Sequence, residues 1–99
     1  MKSITPDELR RRLTASGAPF MLDVREPEEM ADGVIPGSIN IPMNHVGDHL
    51  RELPTDRDIV VICHLGSRSE RVTRQLNTLG YERAMNLAGG VDAWLRSRK

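Results

Sequence analysis

The 99-residue sequence predicts an α/β fold in which a mainly parallel sheet of about five strands is covered by helices on both faces. Two observations support this fold class. Short strand-like stretches alternate with helical patterns along the chain, and parallel neighbours in a sheet require such crossovers. The stretch Ile59–Ile62 is also a continuous run of β-branched side chains, which is typical of a strand buried on both faces. Ligands of parallel sheets bind at the carboxyl ends of the strands, so we expect the functional site there.

The predicted strands are short, apolar and bounded by glycine, proline or polar residues. They are residues 3–4, 20–22, 38–41, 59–62 and 84–87. Helical patterns connect them: one begins at the capping box Thr5-Pro6-Asp7-Glu8, two short ones cover residues 26–30 and 46–53, one follows Cys63, and one follows Gly89-Gly90. Strands and helices therefore alternate over the whole chain, which we interpret as one domain spanning residues 1–99.

The two helices in the second half of the chain carry clear apolar faces. Val72, Leu76 and Leu79 are spaced by four and three residues, which predicts a helix with these side chains buried and with Gly80 as its C-terminal cap. The final helix carries Trp94, the only tryptophan, which we expect to fill the core where that helix meets the sheet.

Composition excludes several classes of protein. Fourteen basic and fourteen acidic side chains give a formal net charge of zero, so long-range attraction to nucleic acid or to an anionic membrane has no support, and we predict neither as a partner. The single cysteine excludes an intramolecular disulfide and a multi-thiolate zinc site. No apolar run reaches the length of a membrane span. A lone reactive thiol persists best in a reducing compartment, so we expect a cytoplasmic protein.

Cys63 is the strongest candidate for a functional residue. It directly follows the predicted strand Ile59–Ile62, and a helical pattern begins near Ser67. This arrangement directs backbone N–H groups and the positive end of a helix dipole at the centre of the loop. Cysteines at helix N-termini ionise more readily than a free thiol, and the thiolate is the nucleophile. A small buried hydrophobic residue at a strand end is the structural alternative.

The other candidates surround that loop. Arg68 can point into the loop mouth and hold an anion, or it can brace the loop against a carboxylate; both orientations stay open. His64 is interpreted as a rim residue. Asp23 and Arg25 follow a buried strand at the same sheet edge and are expected to support the site wall, with Glu28 and Glu29 as further possible partners of Arg25.

His45 and His49 are the candidates for a metal site. They have the i, i+4 spacing of two ligands on a helix, but Gly47 weakens that helix and no third ligand lies nearby in sequence. We therefore predict a solvated face there and no bound metal.

Four blocks of the sequence resemble, in order and spacing, those of a single-domain rhodanese. They are Asp23-Val24-Arg25-Glu26-Pro27, residues 35–42 (IPGSINIP), residues 63–69 (CHLGSRS) and residues 87–94 (LAGGVDAW). Rhodaneses are sulfurtransferases with a three-layer sandwich fold. The chain departs from the family at one position, because Val34 stands where relatives usually carry a histidine before the Ile-Pro-Gly block.

The resemblance implies a persulfide cycle on Cys63. The thiolate takes the outer sulfur of thiosulfate or a related donor and passes it to a thiophilic acceptor such as cyanide, a thiol or a protein. Backbone N–H groups of the loop would hold the sulfur or an oxyanion, and no cofactor is implied; the loop residues concerned are His64, Leu65, Gly66, Ser67 and Arg68.

Three other functions remain as alternatives. The first is a persulfide carrier or binding module for a specific protein partner. The second is a cysteine-based phosphatase of the same fold, which needs five residues between nucleophile and arginine, whereas four separate Cys63 from Arg68 here. The third is an arsenate reductase, which is disfavoured because the chain has only one cysteine.

Overall fold

The computed structural model describes residues 1–97 and contains a five-stranded sheet of order β1-β5-β4-β2-β3. Every pairing between neighbouring strands is parallel. The strands are β1 (Lys2–Ile4), β2 (Phe20–Asp23), β3 (Ile39–Asn40), β4 (Ile59–Ile62) and β5 (Ala84–Leu87). The α-helices are α1 (Pro6–Leu13), α2 (Ser67–Thr78) and α3 (Gly90–Arg96). The predicted fold class is therefore confirmed.

Both faces of the sheet are covered, which explains the continuous apolar run of β4. Val61 packs in a cluster with Val72 and Leu76 of α2, whereas Val60 and Ile62 pack in a second cluster with side chains of α1 and α3. Successive strand side chains point to opposite faces, so a strand buried on both sides favours apolar residues at consecutive positions. None of the helices within residues 1–97 is long and apolar enough to cross a membrane.

Helix α1 begins where its sequence predicts, but only the Thr5 half of the predicted capping box forms, because the Glu8 carboxylate accepts from Arg11 instead. Thr5 is the N-cap, and its Oγ1 accepts a hydrogen bond of 3.2 Å from the backbone N–H of Glu8. Leu9 is fully buried beside Trp94, which is only 5% exposed. The Arg10 guanidinium lies 3.7 Å from the centroid of the Trp94 ring and donates to the Trp94 carbonyl at 2.6 Å. These contacts hold α1 and α3 together on one face of the sheet.

The two short helices predicted in the first half of the chain are 3-10 helices. They cover Pro27–Asp32 and Met43–Glu52, and the second is interrupted at His49, whose φ and ψ of −118° and 16° are not helical. Gly47 lies in that second segment and lowers its helix propensity, and short 3-10 turns are common as connectors. The strand predicted at residues 38–41 shortens to the two residues of β3, which pair only with β2.

The predicted burial of Leu79 is wrong. Helix α2 ends at Thr78, and Leu79 at its C-cap is 58% exposed. Gly80 has a φ of 101°, which lets the backbone N–H of Tyr81 reach back to the Leu76 carbonyl at 2.9 Å. Gly80 therefore helps to end the helix, but it follows the C-cap Leu79 and is not itself the predicted cap.

Candidate active site

The sulfur of Cys63 lies in a closed loop at the carboxyl end of β4. Cys63 is only 1% exposed. Two backbone groups donate to its Sγ, the N–H of Gly66 at 3.1 Å and the N–H of Ser69 at 3.3 Å. The hydroxyl oxygen of Ser69 lies 3.2 Å from the same atom. Three hydrogen-bonding groups therefore surround the sulfur.

Gly66 makes this loop geometry possible. Its φ of 111° and ψ of −13° place it at the N-cap of α2 and turn its N–H back towards Cys63. Its carbonyl accepts the first backbone hydrogen bond of the helix, from the N–H of Glu70 at 3.0 Å. A side chain at this position would be strained by the positive φ, and its Cβ would lie 3.4 Å from the backbone nitrogen of Gly89.

The start of α3 fixes the loop from the other side. The backbone N–H groups of Val91 and Asp92 donate to the carbonyls of Cys63 and His64 at 2.9 and 3.1 Å. This contact requires Gly90, because a Cβ there would lie 2.4 Å from the Cys63 carbonyl oxygen and 2.5 Å from that of His64. The last block of the sequence therefore positions the carbonyl side of the Cys63 loop.

We expect Gly90→Ala to destabilise the protein by about 2–4 kcal/mol. Gly90 has a φ of 64°, so a side chain adds backbone strain to a clash with two carbonyl groups that belong to backbone and cannot swing away. Gly17→Ala is the matched control, since Gly17 has a φ of 80° but nothing within 4 Å of its ideal Cβ position. Urea unfolding of both variants measures the difference. Equal losses in the two variants would contradict the close approach of α3 to the loop.

Arg68 braces the loop through an ion pair with a carboxylate of another segment. Its guanidinium makes two hydrogen bonds of 2.7 and 2.8 Å to the carboxylate of Glu29, which belongs to the 3-10 helix Pro27–Asp32. The hydrogen bond from Arg68 lowers the pKa of Glu29 to about 2, although burial acts in the opposite direction. The same hydrogen bond raises the pKa of Arg68. Of the two orientations predicted for Arg68, the structure shows the one in which Arg68 braces the loop against a carboxylate.

We expect the Arg68–Glu29 pair to contribute to stability in a pH-dependent way. The pKa of Glu29 falls from 4.5 to about 2 on folding, so the contribution is fully present above pH 4.5 and is lost as the pH falls through about 2. The two side chains are 33% and 27% exposed, and screening by solvent limits the effect to about 1 kcal/mol.

The test compares wild type with Glu29→Gln in urea unfolding from pH 6 to about pH 2.5. The difference between their unfolding free energies should shrink across the acidic part of that range. Glu28→Gln, at the neighbouring exposed position, is the control and should show no such trend. A Glu29→Gln difference that stays constant with pH would contradict the assigned ion pair.

Asp23 and Arg25 form a fully buried ion pair beside this brace. The guanidinium of Arg25 contacts both carboxylate oxygens of Asp23, at 2.8 to 3.2 Å. It also donates to the carbonyls of Glu29 at 3.2 Å and Gly33 at 2.8 Å. Asp23 therefore holds Arg25, Arg25 holds the segment that carries Glu29, and Glu29 holds Arg68. Asp23 and Arg25 therefore support the Cys63 loop indirectly, through Glu29 and Arg68, and neither forms a hydrogen bond to Cys63 Sγ.

The remaining predicted residues lie at the rim. His64, Leu65 and Ser67 are on the loop, with Leu65 at 62% exposure. Val34, at the position where the family usually has histidine, is 44% exposed.

The two histidines considered as metal ligands are His45 and His49, and His49 pairs with the carboxylate of Glu52. Within residues 1–97, no group of three or more His, Cys, Asp and Glu side chains is arranged to hold a metal ion.

Sequence reasoning missed several residues that shape the site. The hydroxyl of Ser69 contacts the sulfur, Asn86 of β5 contacts that hydroxyl, and the Asn40 amide donates to the carbonyls of Asp23 and Arg25 at 2.9 Å each. Asn86 could have been identified from the sequence, because a polar residue inside a strand predicted to be buried needs a hydrogen-bond partner. The same reasoning applies to Asn40 in the strand predicted at residues 38–41.

A family model described as "Rhodanese-like domain" matches residues 5–97. The chain belongs to the rhodanese-like family. It is 36% identical over 96 residues to a sulfurtransferase of Allochromatium vinosum, covering 97% of this chain and 90% of the relative. It is also 35% identical to the human thiosulfate:glutathione sulfurtransferase, with 86% of each chain covered. These rhodanese-like relatives indicate a transferase of the sulfurtransferase class.

Solved rhodanese-like structures share the fold. The crystal structure of a rhodanese-like domain protein from Staphylococcus aureus superposes with a TM-score of 0.89 at 39% sequence identity, covering 95% of this chain and 91% of that one.

Proposed function

We propose that this rhodanese-like protein transfers sulfane sulfur from thiosulfate or a related donor to a thiol or cyanide, through a persulfide on Cys63. The observation that carries the proposal is the closed loop around the sulfur, with backbone donors at 3.1 and 3.3 Å and with α2 starting beside it. The names of the two relatives support sulfur transfer, and that of the human relative supports thiosulfate as donor and a thiol as acceptor.

The proposed first half-reaction forms the persulfide. The Cys63 thiolate attacks the outer sulfur of thiosulfate, the sulfur–sulfur bond of thiosulfate breaks, and sulfite leaves with the bonding electron pair. In the second half-reaction an acceptor thiolate attacks the outer sulfur of the persulfide and restores the Cys63 thiolate. With cyanide as acceptor the product is thiocyanate. Neither half-reaction requires a metal or a general base for an already ionised thiol.

The loop backbone supplies the positive surroundings for this chemistry. The N–H groups of Gly66 and Ser69 already face the sulfur. We assign the outer sulfur of the persulfide to the N–H groups of Leu65 in the loop and of Ser67 and Arg68, which are the first two residues of α2 and whose N–H groups have no partner within the helix. His64 lies exposed beside them, where it can contact a donor or acceptor. In a chain of zero net charge, attraction for the thiosulfate dianion has to come from such local groups.

Phosphate-ester hydrolysis fits the site less well. A phosphatase loop has to surround a tetrahedral phosphate and present an arginine to it. Here only four residues separate Cys63 from Arg68, and the Arg68 guanidinium is engaged by Glu29 outside the loop. A dedicated persulfide carrier differs from the proposed enzyme only in its acceptor, which would be a protein.

Steady-state kinetics tests the proposal. We expect turnover with thiosulfate and either glutathione or cyanide, and parallel lines in double-reciprocal plots when donor and acceptor are varied together. Parallel lines follow because sulfite leaves before the acceptor reacts. Transfer to a protein thiol but not to glutathione or cyanide would favour the carrier. Intersecting lines, or no sulfite release, would contradict a persulfide intermediate.

A further inference from the structure

A buried polar chain leads from the Cys63 sulfur to the middle of strand β5. The Ser69 hydroxyl oxygen lies 3.2 Å from Cys63 Sγ, and the Ser69 hydroxyl donates to Oδ1 of Asn86. Ser69 is fully buried and Asn86 is 6% exposed. Asn86 lies opposite Val61 in the register of β4 and β5, so its side chain is on the α2 face of the sheet. The Ser69–Asn86 hydrogen bond therefore links the Cys63 sulfur to the sheet.

The Ser69 hydroxyl has only one proton and three neighbouring acceptors. They are Oδ1 of Asn86, the Gly66 carbonyl at 3.2 Å and the Cys63 sulfur. When Cys63 is a neutral thiol, its S–H can donate to Ser69, and Ser69 can donate to Asn86. When Cys63 is ionised, the thiolate can only accept, and the Ser69 proton has to turn towards it.

Asn86 can follow this change without repacking. Its carboxamide carries an oxygen and a nitrogen of similar size, and rotation about the Cβ–Cγ bond exchanges them. The side-chain hydrogen bond of Asn86 within residues 1–97 uses Oδ1, whereas its amide nitrogen lies 3.9 Å from the ideal Cβ position of Gly66. Rotation of the carboxamide would bring this nitrogen to the Ser69 hydroxyl as a donor once the Ser69 proton has moved.

We propose that Asn86 is a positioning residue that reverses the hydrogen-bond chain when Cys63 ionises. In the neutral state the chain runs from Cys63 S–H to Ser69 O–H to Asn86 Oδ1. In the ionised state it runs from Asn86 N–H to Ser69 O–H to the Cys63 thiolate, and the thiol proton has left to solvent. The sulfur thus gains a side-chain donor in addition to the two backbone donors. The inference deepens the proposed persulfide function, on which it rests, by naming a residue that stabilises its thiolate.

Charged groups around the loop contribute to the same ionisation, and the test has to leave them unchanged. They are Arg68 with Glu29, Asp23 with Arg25, His64 in the loop, and Asp92 with Arg96 on α3. Replacing Ser69 or Asn86 alters none of these side chains.

The experiment measures thiolate formation by ultraviolet absorbance as a function of pH. Cys63 is the only cysteine, so the signal reports one thiol and requires no sulfur transfer. Ser69→Ala should raise the pH of half-ionisation by about one unit, because a hydrogen bond to the anion is lost. Asn86→Asp keeps the acceptor but removes the donor, and should raise it by at least as much. Thr73→Val is the control, since the Thr73 hydroxyl bonds the Ser69 carbonyl at 2.7 Å and does not contact the sulfur.

A double variant separates the hydrogen bond from the negative charge that Asn86→Asp adds. In the Ser69→Ala background the new carboxylate still acts through space, but the chain is broken. The shift caused by Asn86→Asp should therefore be less than about half of that in wild type. Equal shifts in both backgrounds would overturn the proposal. So would an unchanged half-ionisation pH in Ser69→Ala, which is the deciding result if the Asn86 variant does not fold. Failure of sulfur transfer itself would leave all these shifts in place.

Discussion

Replacing Cys63 with serine is expected to abolish sulfur transfer. A serine hydroxyl is not ionised near neutral pH, and oxygen cannot form the persulfide that the mechanism requires. Loss of a nucleophile typically lowers the rate by more than about a thousandfold. No other thiol can take its place, because Cys63 is the only cysteine of the chain. The measurement is the rate of sulfite release from thiosulfate by wild type and by Cys63→Ser.

The serine variant should fold normally, which makes the loss interpretable. A serine Oγ can accept the hydrogen bonds that Gly66 and Ser69 N–H groups now make to the sulfur. The urea midpoint should therefore stay close to that of wild type. More than a trace of sulfite release from a folded Cys63→Ser protein would show that another group is the nucleophile.

Replacing Asp23 with asparagine is expected to destabilise the protein by about 3–5 kcal/mol, because removing one partner of a buried pair leaves the other charge without compensation. The carboxylate of Asp23 is the charge partner of an Arg25 side chain that is 0% exposed. Sulfur transfer should fall as well, since the segment held by Arg25 carries Glu29 and thus the brace on Arg68.

Glu8→Gln provides the matched control for the buried pair. The Glu8–Arg11 ion pair has side chains that are 47% and 67% exposed, so its loss should change stability by less than about 0.5 kcal/mol. Urea unfolding at neutral pH measures both variants. A loss below about 1 kcal/mol for Asp23→Asn would show that the carbonyls of Glu29 and Gly33 alone satisfy Arg25.

The sequence predicted the part of the site that depends on local pattern. Ile59–Ile62 is recognisable as a doubly buried strand because all four consecutive residues are β-branched and apolar. The helix that begins near Ser67 is recognisable from the spacing of Val72 and Leu76. Together these place Cys63 at a strand end beside a helix N-terminus. The parallel sheet followed from the alternation of elements, and the comparison structures share that fold.

Contacts between distant segments were not predictable in the same way. Arg68 had two open orientations because its partner, Glu29, is 39 residues away and its position depends on Arg25. The sequence places Gly90 directly before the final helix, but its closeness to the Cys63 and His64 carbonyls is a property of how α3 docks. The Ser69–Asn86 contact likewise joins a helix to a strand that the sequence treats as separate elements.

The mass of the Cys63 peptide tests the central claim most directly. The protein is incubated with thiosulfate, desalted and digested without reductant, with and without prior treatment with glutathione or cyanide. We predict that thiosulfate adds one sulfur atom to the peptide that contains Cys63, that either acceptor removes it, and that cyanide releases thiocyanate. A Cys63 peptide of unchanged mass in a protein that still consumes thiosulfate would contradict the persulfide, as would a sulfur that neither acceptor removes.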